Sequence, residues 1–404
     1  MAKRQKQVLI AGGGICGLTA AIALGRRGIK TIVLERSSFA EDTGAGIQLG
    51  PDATRILKEL GVLDAMRPLA FRPDAMWLYD GPSGRQLQSL PLGKRAEKYY
   101  GAPYLTIHRA DLQGGLRAFA EALRPVELKA GFDLVAVETE GDAVVARAAD
   151  GAEAMGFCLV GADGLWSTVR KLLFPHDRLR FAGATAWRTL LDRNDLPSPF
   201  DAPVIGLWFG PRAHVVHYPV RGGRSLNLVA ITEGGRESQG WNQPADSATL
   251  LSRLMPFARN LRSLLEHATA WQRWSLYRLA TLKNFSAGRV VLIGDAAHPV
   301  LPYLAQGAAL AIEDAFLLAQ SLGASDDLAE AFQLYEKPRR ARIARVQDLS
   351  RRYGWIYHVR GPIRLARNFV LGRRHEVLRD FDWLYGRRAA EQSGSDAHAS
   401  SEPE

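Results

Sequence analysis

A short apolar strand running into G-x-G-x-x-G, an acid closing the strand that follows, and two later strand-to-glycine turns predict an α/β protein. The expected architecture is a Rossmann-like nucleotide-binding domain carrying an inserted, mostly antiparallel β-sheet substrate domain and C-terminal helices. Val8 to Ala11 reads as a buried parallel strand. It meets Gly12, Gly14 and Gly17, and a helix-forming segment from Leu18 to Leu24 follows, ended by Gly28. One glycine permits the tight turn, one lets the backbone touch a pyrophosphate, and one lets helix and strand pack closely. The unpaired N–H groups of the helix N-terminus favour phosphate. A glycine-rich turn alone is the plainer reading of such a motif. Here a strand precedes it, a helix follows, and Glu35 ends the next strand, Thr31 to Leu34, eighteen residues after Gly17. Glu35 suits ribose hydroxyls, although a strand-end acid is also simply a solvated charge.

The chain continues with a loop from Ser37 to Gly50, a helix from Pro51 to Leu60 capped by Gly61, and turn-linked strands over 75–92. A strand from Tyr104 to Ile107 leads into a helix from about Ala110 to Leu123. Arg109 stands at that junction, where it can meet a phosphate or carboxylate or remain a surface charge. Residues 126–149 read as short strands turning at Glu140-Gly141-Asp142, and Phe157 to Val160 as another buried strand. From Phe181 to Gly234 the composition changes to strands, with Arg221-Gly222-Gly223-Arg224 as a hairpin turn. In AHVVHYPV, alternation puts His214, Val216 and Tyr218 on one face and His217 on the other. A sheet histidine is often only a packed residue, so His214 is a catalytic candidate on position alone. Residues 242–268 read as helical. The strand Val290 to Ile293 then ends in Gly294-Asp295, followed by a loop with Pro299 and Pro302, Gln306-Gly307, and a helix through Leu322. Residues 326–385 read as basic amphipathic helix, and the end from Arg387 as a disordered tail.

The 404 residues, 47% hydrophobic and 23% charged, suit a globular protein of two or three domains. No apolar run reaches the roughly 18 residues of a membrane span, and the N-terminus does not read as a signal peptide. Cys16 and Cys158 form neither a metal pattern nor a disulfide framework, which points to a reducing, cytoplasmic setting. Between Lys337 and Arg374 lie twelve basic residues against one acid, Asp348, which accounts for the net charge of +10. A solvated face, or a rim drawing anionic ligands, is the expected meaning. A peripheral membrane or nucleic-acid-binding protein is the alternative from a different class.

Three glycine-bearing segments, GGGICG at 12–17, GADG at 161–164 and GDAAHP at 294–299, stand in one order. Together they resemble the single-component FAD-dependent aromatic hydroxylases, the 4-hydroxybenzoate hydroxylase group. GAGIQLGPDATRIL, HRADL, HYPVRGG, PYLAQGAALAIEDA and DWLYG are most similar to 3-hydroxybenzoate and salicylate hydroxylases. The resemblance implies a discontinuous FAD-binding domain over 1–75, 100–180 and 280–330. It also implies a substrate sheet over 76–99 and 181–279, a helical region over 331–386, and a tail over 387–404. It implies that Gly12, Gly14, Gly17, Glu35 and Arg36 hold the ADP half of FAD and that Arg109 contacts its phosphates. Asp163 would lie near FAD and the nicotinamide nucleotide, Asp295 on the ribityl chain, and Gly307 and Ala308 against the flavin ring. Pro299 would stand where oxygen is activated. His214 would be the base for a phenol, with Tyr218 and Gln306 positioning the ring or its carboxylate.

The implied reaction is hydroxylation of a small phenolic acid with NADH or NADPH and O2 through a flavin C4a-hydroperoxide. A hydroxylase of an N-heterocyclic acid or natural-product ring is the alternative on the same scaffold. A homodimer is the family-level expectation, with weak membrane-surface contact left open and no nucleic acid expected. Two departures stand out: Gly50-Pro51-Asp52 where G-P-N is usual, and YLAQGA where salicylate enzymes carry a different loop. The W-x-W-x-I-P signature of flavin halogenases is absent.

Overall fold

The computed structural model describes residues 6–386 except 40–43, 195, 236, 239, 241–242, 269 and 375–376. The expected tail over 387–404 lies outside the described residues. Because Val8–Ala11 carry no polar side chain, their strand can be buried on both faces, and it sits inside a six-stranded sheet. The order is Ser286–Ala287, Val290–Leu292, Cys158–Gly161, Gln7–Ala11, Lys30–Glu35, Val126–Ala130, parallel except at the first, edge strand. In register, Ile10 lies between Val33 and Val160. This aligns the C-terminal ends of three strands, the edge where α/β sheets bind ligands. The fingerprint helix Ile15–Gly25 is buried along its whole length, between this sheet and the helix Gly307–Ala324. Its alanines and glycines give it the narrow girth that such a position requires.

The second large sheet has eight strands, in the order Gln243–Ala245, Trp271–Arg278, Arg180–Asp192, Ser225–Glu233, Ala213–Val220, Val204–Gly210, Ala75–Asp80, Gln86–Pro91. It is antiparallel except where Val204–Gly210 meets Ala75–Asp80. One face buries Trp187, Trp208 and Leu228 beneath the helices Ser247–Arg253 and Arg259–Glu266. The other face carries His214, Val216 and Tyr218 and borders the same cleft as the glycine turn. A three-stranded antiparallel sheet over Leu134–Glu140, Ala143–Ala148 and Glu153–Gly156 flanks the parallel one.

Several elements differ from the sequence expectation. The expected loop Ser37 to Gly50 contains a strand, Gly46–Leu49, paired antiparallel with Leu105–His108. Its glycines carry little strand propensity, so the partner strand supplies the order. Gly93–Tyr100, inside the expected substrate sheet, is a helix closed by Gly101 at φ 76°. Residues 242–268 break into the strand Gln243–Ala245 and two short helices, the first capped by Asp246. The basic stretch divides into Leu328–His358 and Gly361–Arg373. Its face is not wholly solvated either, since Arg339, Arg342 and Arg367 are buried. Among the described residues no helix is long and apolar enough to cross a membrane.

Candidate active site

A cleft of about 610 Å³ runs from the end of the strand Lys30–Glu35, past the glycine turn, to the inner face of the eight-stranded sheet. The three motif glycines answer three separate constraints. Gly12 adopts φ +104°, and a Cβ there would lie 2.6 Å from the Ala162 carbonyl oxygen. At Gly17 a Cβ would fall 1.9 Å from the Gly12 oxygen. A Cβ on Gly14 would meet no protein atom within 4 Å; it would project into the cleft. Gly14 caps the fingerprint helix, which has no acid in its first turn and no side-chain cap, so its N–H groups remain directed at a ligand. The same holds at the other end of the cleft. The helix Gly307–Ala324 starts without cap or acid, and a Cβ on Gly307 would meet only Val300, at 3.8 Å.

The carboxylate of Glu35 accepts hydrogen bonds from Gly13 N (2.6 Å), Ser37 N (2.8 Å) and Ser37 Oγ (2.9 Å). It thereby fastens the second strand to the glycine turn while lining the cleft beside Arg36. Arg109 is walled by protein but open to the cleft. Burial draws its pKa down and Asp295 draws it up. Asp295 lies in the cleft, its carboxyl raised by burial against the pull of His298, Arg109 and Arg170. Asp163 borders the cleft too, yet its oxygens are engaged by Ser167 Oγ, Thr168 N (2.7 Å) and Val169 N (3.0 Å). It thus satisfies the first two N–H groups of the short helix Thr168–Leu173, whose N-cap is Ser167. Arg170, from that helix, donates to the carbonyls of Ala296 (2.8 Å) and Leu165 (2.6 Å), tying the Asp-Gly loop to the GDAAHP turn.

Sequence reasoning missed a buried ionic lattice behind that turn. Asp314 accepts from Gly294 N (2.8 Å), His298 Nε2 and Arg339 Nε (2.6 Å). Glu313 accepts from Arg339 Nη1 (2.6 Å) and Arg342 Nε (2.7 Å), and Arg342 reaches Asp52 at 3.3 Å. His298 and Arg339 hold Asp314 at about 2 against the burial that would raise it. Burial and the neighbouring Glu313 push Asp52 to about 7, against the pull of Arg342. The lattice fixes the GDAAHP turn to both the helix Gly307–Ala324 and the long basic helix. The only signal for it in the sequence is a pair of arginines three apart, which ordinarily reads as surface.

At the sheet end, His214, Val216 and Tyr218 all line the cleft, as alternation requires. His217 lies on the opposite face over Gly206, with Phe200 and Trp208 around it. Burial lowers its pKa to about 3. Tyr218 donates to Gly46 O at 2.7 Å. Its hydroxyl therefore offers only lone pairs to a ligand, and burial raises its pKa. His214 Nδ1 lies 2.8 Å from His358 Nε2, while Nε2 has no hydrogen-bond partner among the described residues. Burial, then His358, lower its pKa well below the ordinary histidine value. Pro299 lines the cleft as well. Gln306 does not: it is buried at the helix start, already in helical conformation, with Oε1 lacking a partner. Beyond His214 a further cavity of about 90 Å³ opens, walled by Tyr104, Gln48, Leu92, Tyr303 and Tyr357. Tyr104 donates to Gln48 Oε1 at 2.8 Å.

Residues 5–350 match the family described as FAD binding domain. A 3-hydroxybenzoate 6-hydroxylase from Aquipseudomonas alcaligenes is 37% identical over 388 residues, covering 95% of this chain and 98% of its own. A 3-amino-4-hydroxybenzoate 2-monooxygenase from Streptomyces platensis is 38% identical, covering 95% of this chain and 96% of its own. The chain belongs to the FAD-dependent aromatic hydroxylases. A solved salicylate hydroxylase substrate complex has the same fold, with TM-score 0.81 and 24% identity over 97% of this hydroxylase and 98% of that chain.

The residues of the hydroxylase fit FAD. Two helix N-termini without side-chain caps face one continuous cleft, and Gly14 and Gly307 leave open the volume a Cβ would fill. Bound there, FAD supplies electron transfer from NAD(P)H and the activation of dioxygen.

Proposed function

We propose that this hydroxylase acts on a small phenolic acid of the hydroxybenzoate class and that His214 is the base that ionises the phenol. The carrying observation is the cleft-facing strand that presents His214 and Tyr218 together, with His214 Nδ1 already engaged and Nε2 unpartnered. A phenol becomes a strong carbon nucleophile only once ionised, and an imidazole is suited to accept that proton. Tyr218 stands beside His214 as a wall of the site, and the 90 Å³ aromatic cavity takes the substrate ring. The relatives named for hydroxybenzoate and aminohydroxybenzoate substrates support this class.

For the cofactor we propose that Gly12 and Gly17 shape the turn, while Gly14 and its helix N-terminus face the diphosphate. Glu35 and Arg36 take the adenosine end, Arg109 the phosphates, and Asp295 the ribityl chain. Gly307, Ala308 and Pro299 border the ring. Asp163 acts at one remove, by holding its loop. The cofactor residues fall in 1–75, 100–180 and 280–330, the substrate residues mainly in 181–279. Two buried free thiols, Cys16 and Cys158, support a cytoplasmic setting.

The test incubates FAD-loaded protein with 3-hydroxybenzoate, 3-amino-4-hydroxybenzoate or 6-hydroxynicotinate and either NADH or NADPH, and measures hydroxylated product beside peroxide. Product from a benzoate supports the reading. Product from the heterocycle alone overturns it in favour of an N-heterocyclic substrate.

We further propose a homodimer through the helix Gly361–Arg373, which is inverted: Arg367 and Asn368 face inward to Asp80, while Ile363, Leu365, Phe369 and Val370 are exposed. Light scattering should give a dimer that Phe369→Asp converts to a monomer. A monomeric parent that pellets with anionic vesicles would instead point to a bilayer surface.

A further inference from the structure

The chain His214–His358–Glu233 crosses the protein from the cleft to a different surface. His214 is 2% exposed and His358 6%, while the Glu233 side chain is 45% exposed. His358 Nε2 faces His214 Nδ1 at 2.8 Å, and His358 Nδ1 faces Glu233 Oε1 at 3.2 Å. Glu233 stands in a surface depression with Arg212 and Arg351, on the far side of His358 from the cleft. Arg212 Nε lies 3.6 Å from the other Glu233 oxygen, and Arg212 N donates to the His358 carbonyl at 3.2 Å. His358 is also the last residue of the helix Leu328–His358, and burial lowers its pKa against the pull of Glu233, which keeps the ring neutral. The rings of Tyr303 and Tyr357 pack against His214, and the Arg367 charge acts on His358.

The direction of this chain is set from its acidic end. An ionised carboxylate only accepts, so His358 must present Nδ1–H to Glu233. Its Nε2 then carries a lone pair and must receive a hydrogen from His214 Nδ1. Neutral His214 so held has its proton on Nδ1 and a lone pair on Nε2, the nitrogen left for the substrate. We propose that His358 and Glu233 fix His214 in its basic tautomer and carry the substrate proton to the surface depression.

The transfer balances. The phenol O–H breaks as His214 Nε2–H forms; Nδ1–H passes to His358 Nε2, and His358 Nδ1–H passes to Glu233 Oε1, which releases the proton to water. Both rings end neutral with tautomers reversed. Return of a proton along the same path to the product phenolate restores them. The cleft need not open to solvent for either passage.

This rests on His214 being the base, so the experiment separates the two ideas. The FAD-loaded enzyme, without NAD(P)H, is mixed with 3-hydroxybenzoate as probe, and phenolate formation is followed by ultraviolet difference absorbance from pH 5 to 9. His214→Ala should abolish phenolate formation near neutrality. His358→Gln should slow it at least about tenfold and make it depend on added imidazole or formate. Glu233→Gln, at an exposed position that tolerates the change, should slow it less and shift the bound phenol's midpoint upward. Restoration by imidazole is a response that a merely structural role of His358 would not give. Parental ionisation in His214→Ala overturns the base and the relay together. Loss in His214→Ala, with parental rate and midpoint in both other variants, overturns the relay alone.

Discussion

Gly14→Ala isolates ligand approach from folding. The backbone of Gly14, at φ −78°, accepts any residue, and the added methyl meets no protein atom within 4 Å. Alanine is a poorer helix N-cap than glycine but restricts the unfolded chain, two effects of opposite sign and each under about 1 kcal/mol. The thermal midpoint of the flavin-free protein should therefore stay within about 3 °C of the parent. The same methyl occupies the path by which a diphosphate reaches the helix N–H groups. Loss of one charge-assisted hydrogen bond costs about 1.5–3 kcal/mol, or roughly 10- to 100-fold in FAD affinity. Gly17→Ala is the control: its methyl would sit 1.9 Å from the Gly12 oxygen, so the protein itself should be destabilised. Flavin-fluorescence titration and differential scanning fluorimetry read the two effects separately. Parental FAD affinity in a folded Gly14→Ala, or a Gly17→Ala as stable as its parent, would contradict this division of roles between the two glycines.

His214→Ala should lose roughly two to four decades of hydroxylation rate while keeping its flavin, measured as product formed and as bound-FAD absorbance. Arg339→Met removes the cation shared by the buried carboxylates of Asp314 and Glu313, leaving them only His298 and Arg342, so urea unfolding should show about 3 kcal/mol of lost stability. Asp314, held at about 2 in the folded protein, contributes stability that is present above its unfolded value and lost as pH falls from about 4 towards 2. Asp52 works in the opposite sense. Its folded value of about 7 lies above the unfolded one, so its contribution is full below about 4 and fades as pH rises to about 7. Asp52→Asn should raise the thermal midpoint at pH 8 by more than it does at pH 4, and an equal change at both would contradict the assignment.

What the sequence revealed was local. The glycine turn, Glu35 and the face-sharing of His214 with Tyr218 follow from short-range geometry, and the structure has His214, Val216 and Tyr218 on the cleft and His217 off it. What it concealed was brought together by the fold. His358 lies 144 residues from His214, within a helix whose composition says only that it is basic. Gly46–Leu49 is a strand because Leu105–His108 lies beside it, and nothing within the segment itself says so. Arg339 and Arg342 look like surface charges until Glu313 and Asp314 are found buried opposite them. Gln306 shows the converse. Its neighbours Ala305 and Gly307 line the cleft, but the helix start carries its side chain into the interior.

We propose an FAD-loaded cleft that hydroxylates a phenolic acid ionised by His214. Turnover of 3-hydroxybenzoate with NADH under ¹⁸O₂, read by mass spectrometry, tests it most directly. The expected result is a dihydroxybenzoate carrying one ¹⁸O atom from the parent enzyme and very little from His214→Ala. NADH consumed to peroxide alone, or equal labelled product from both proteins, would contradict it.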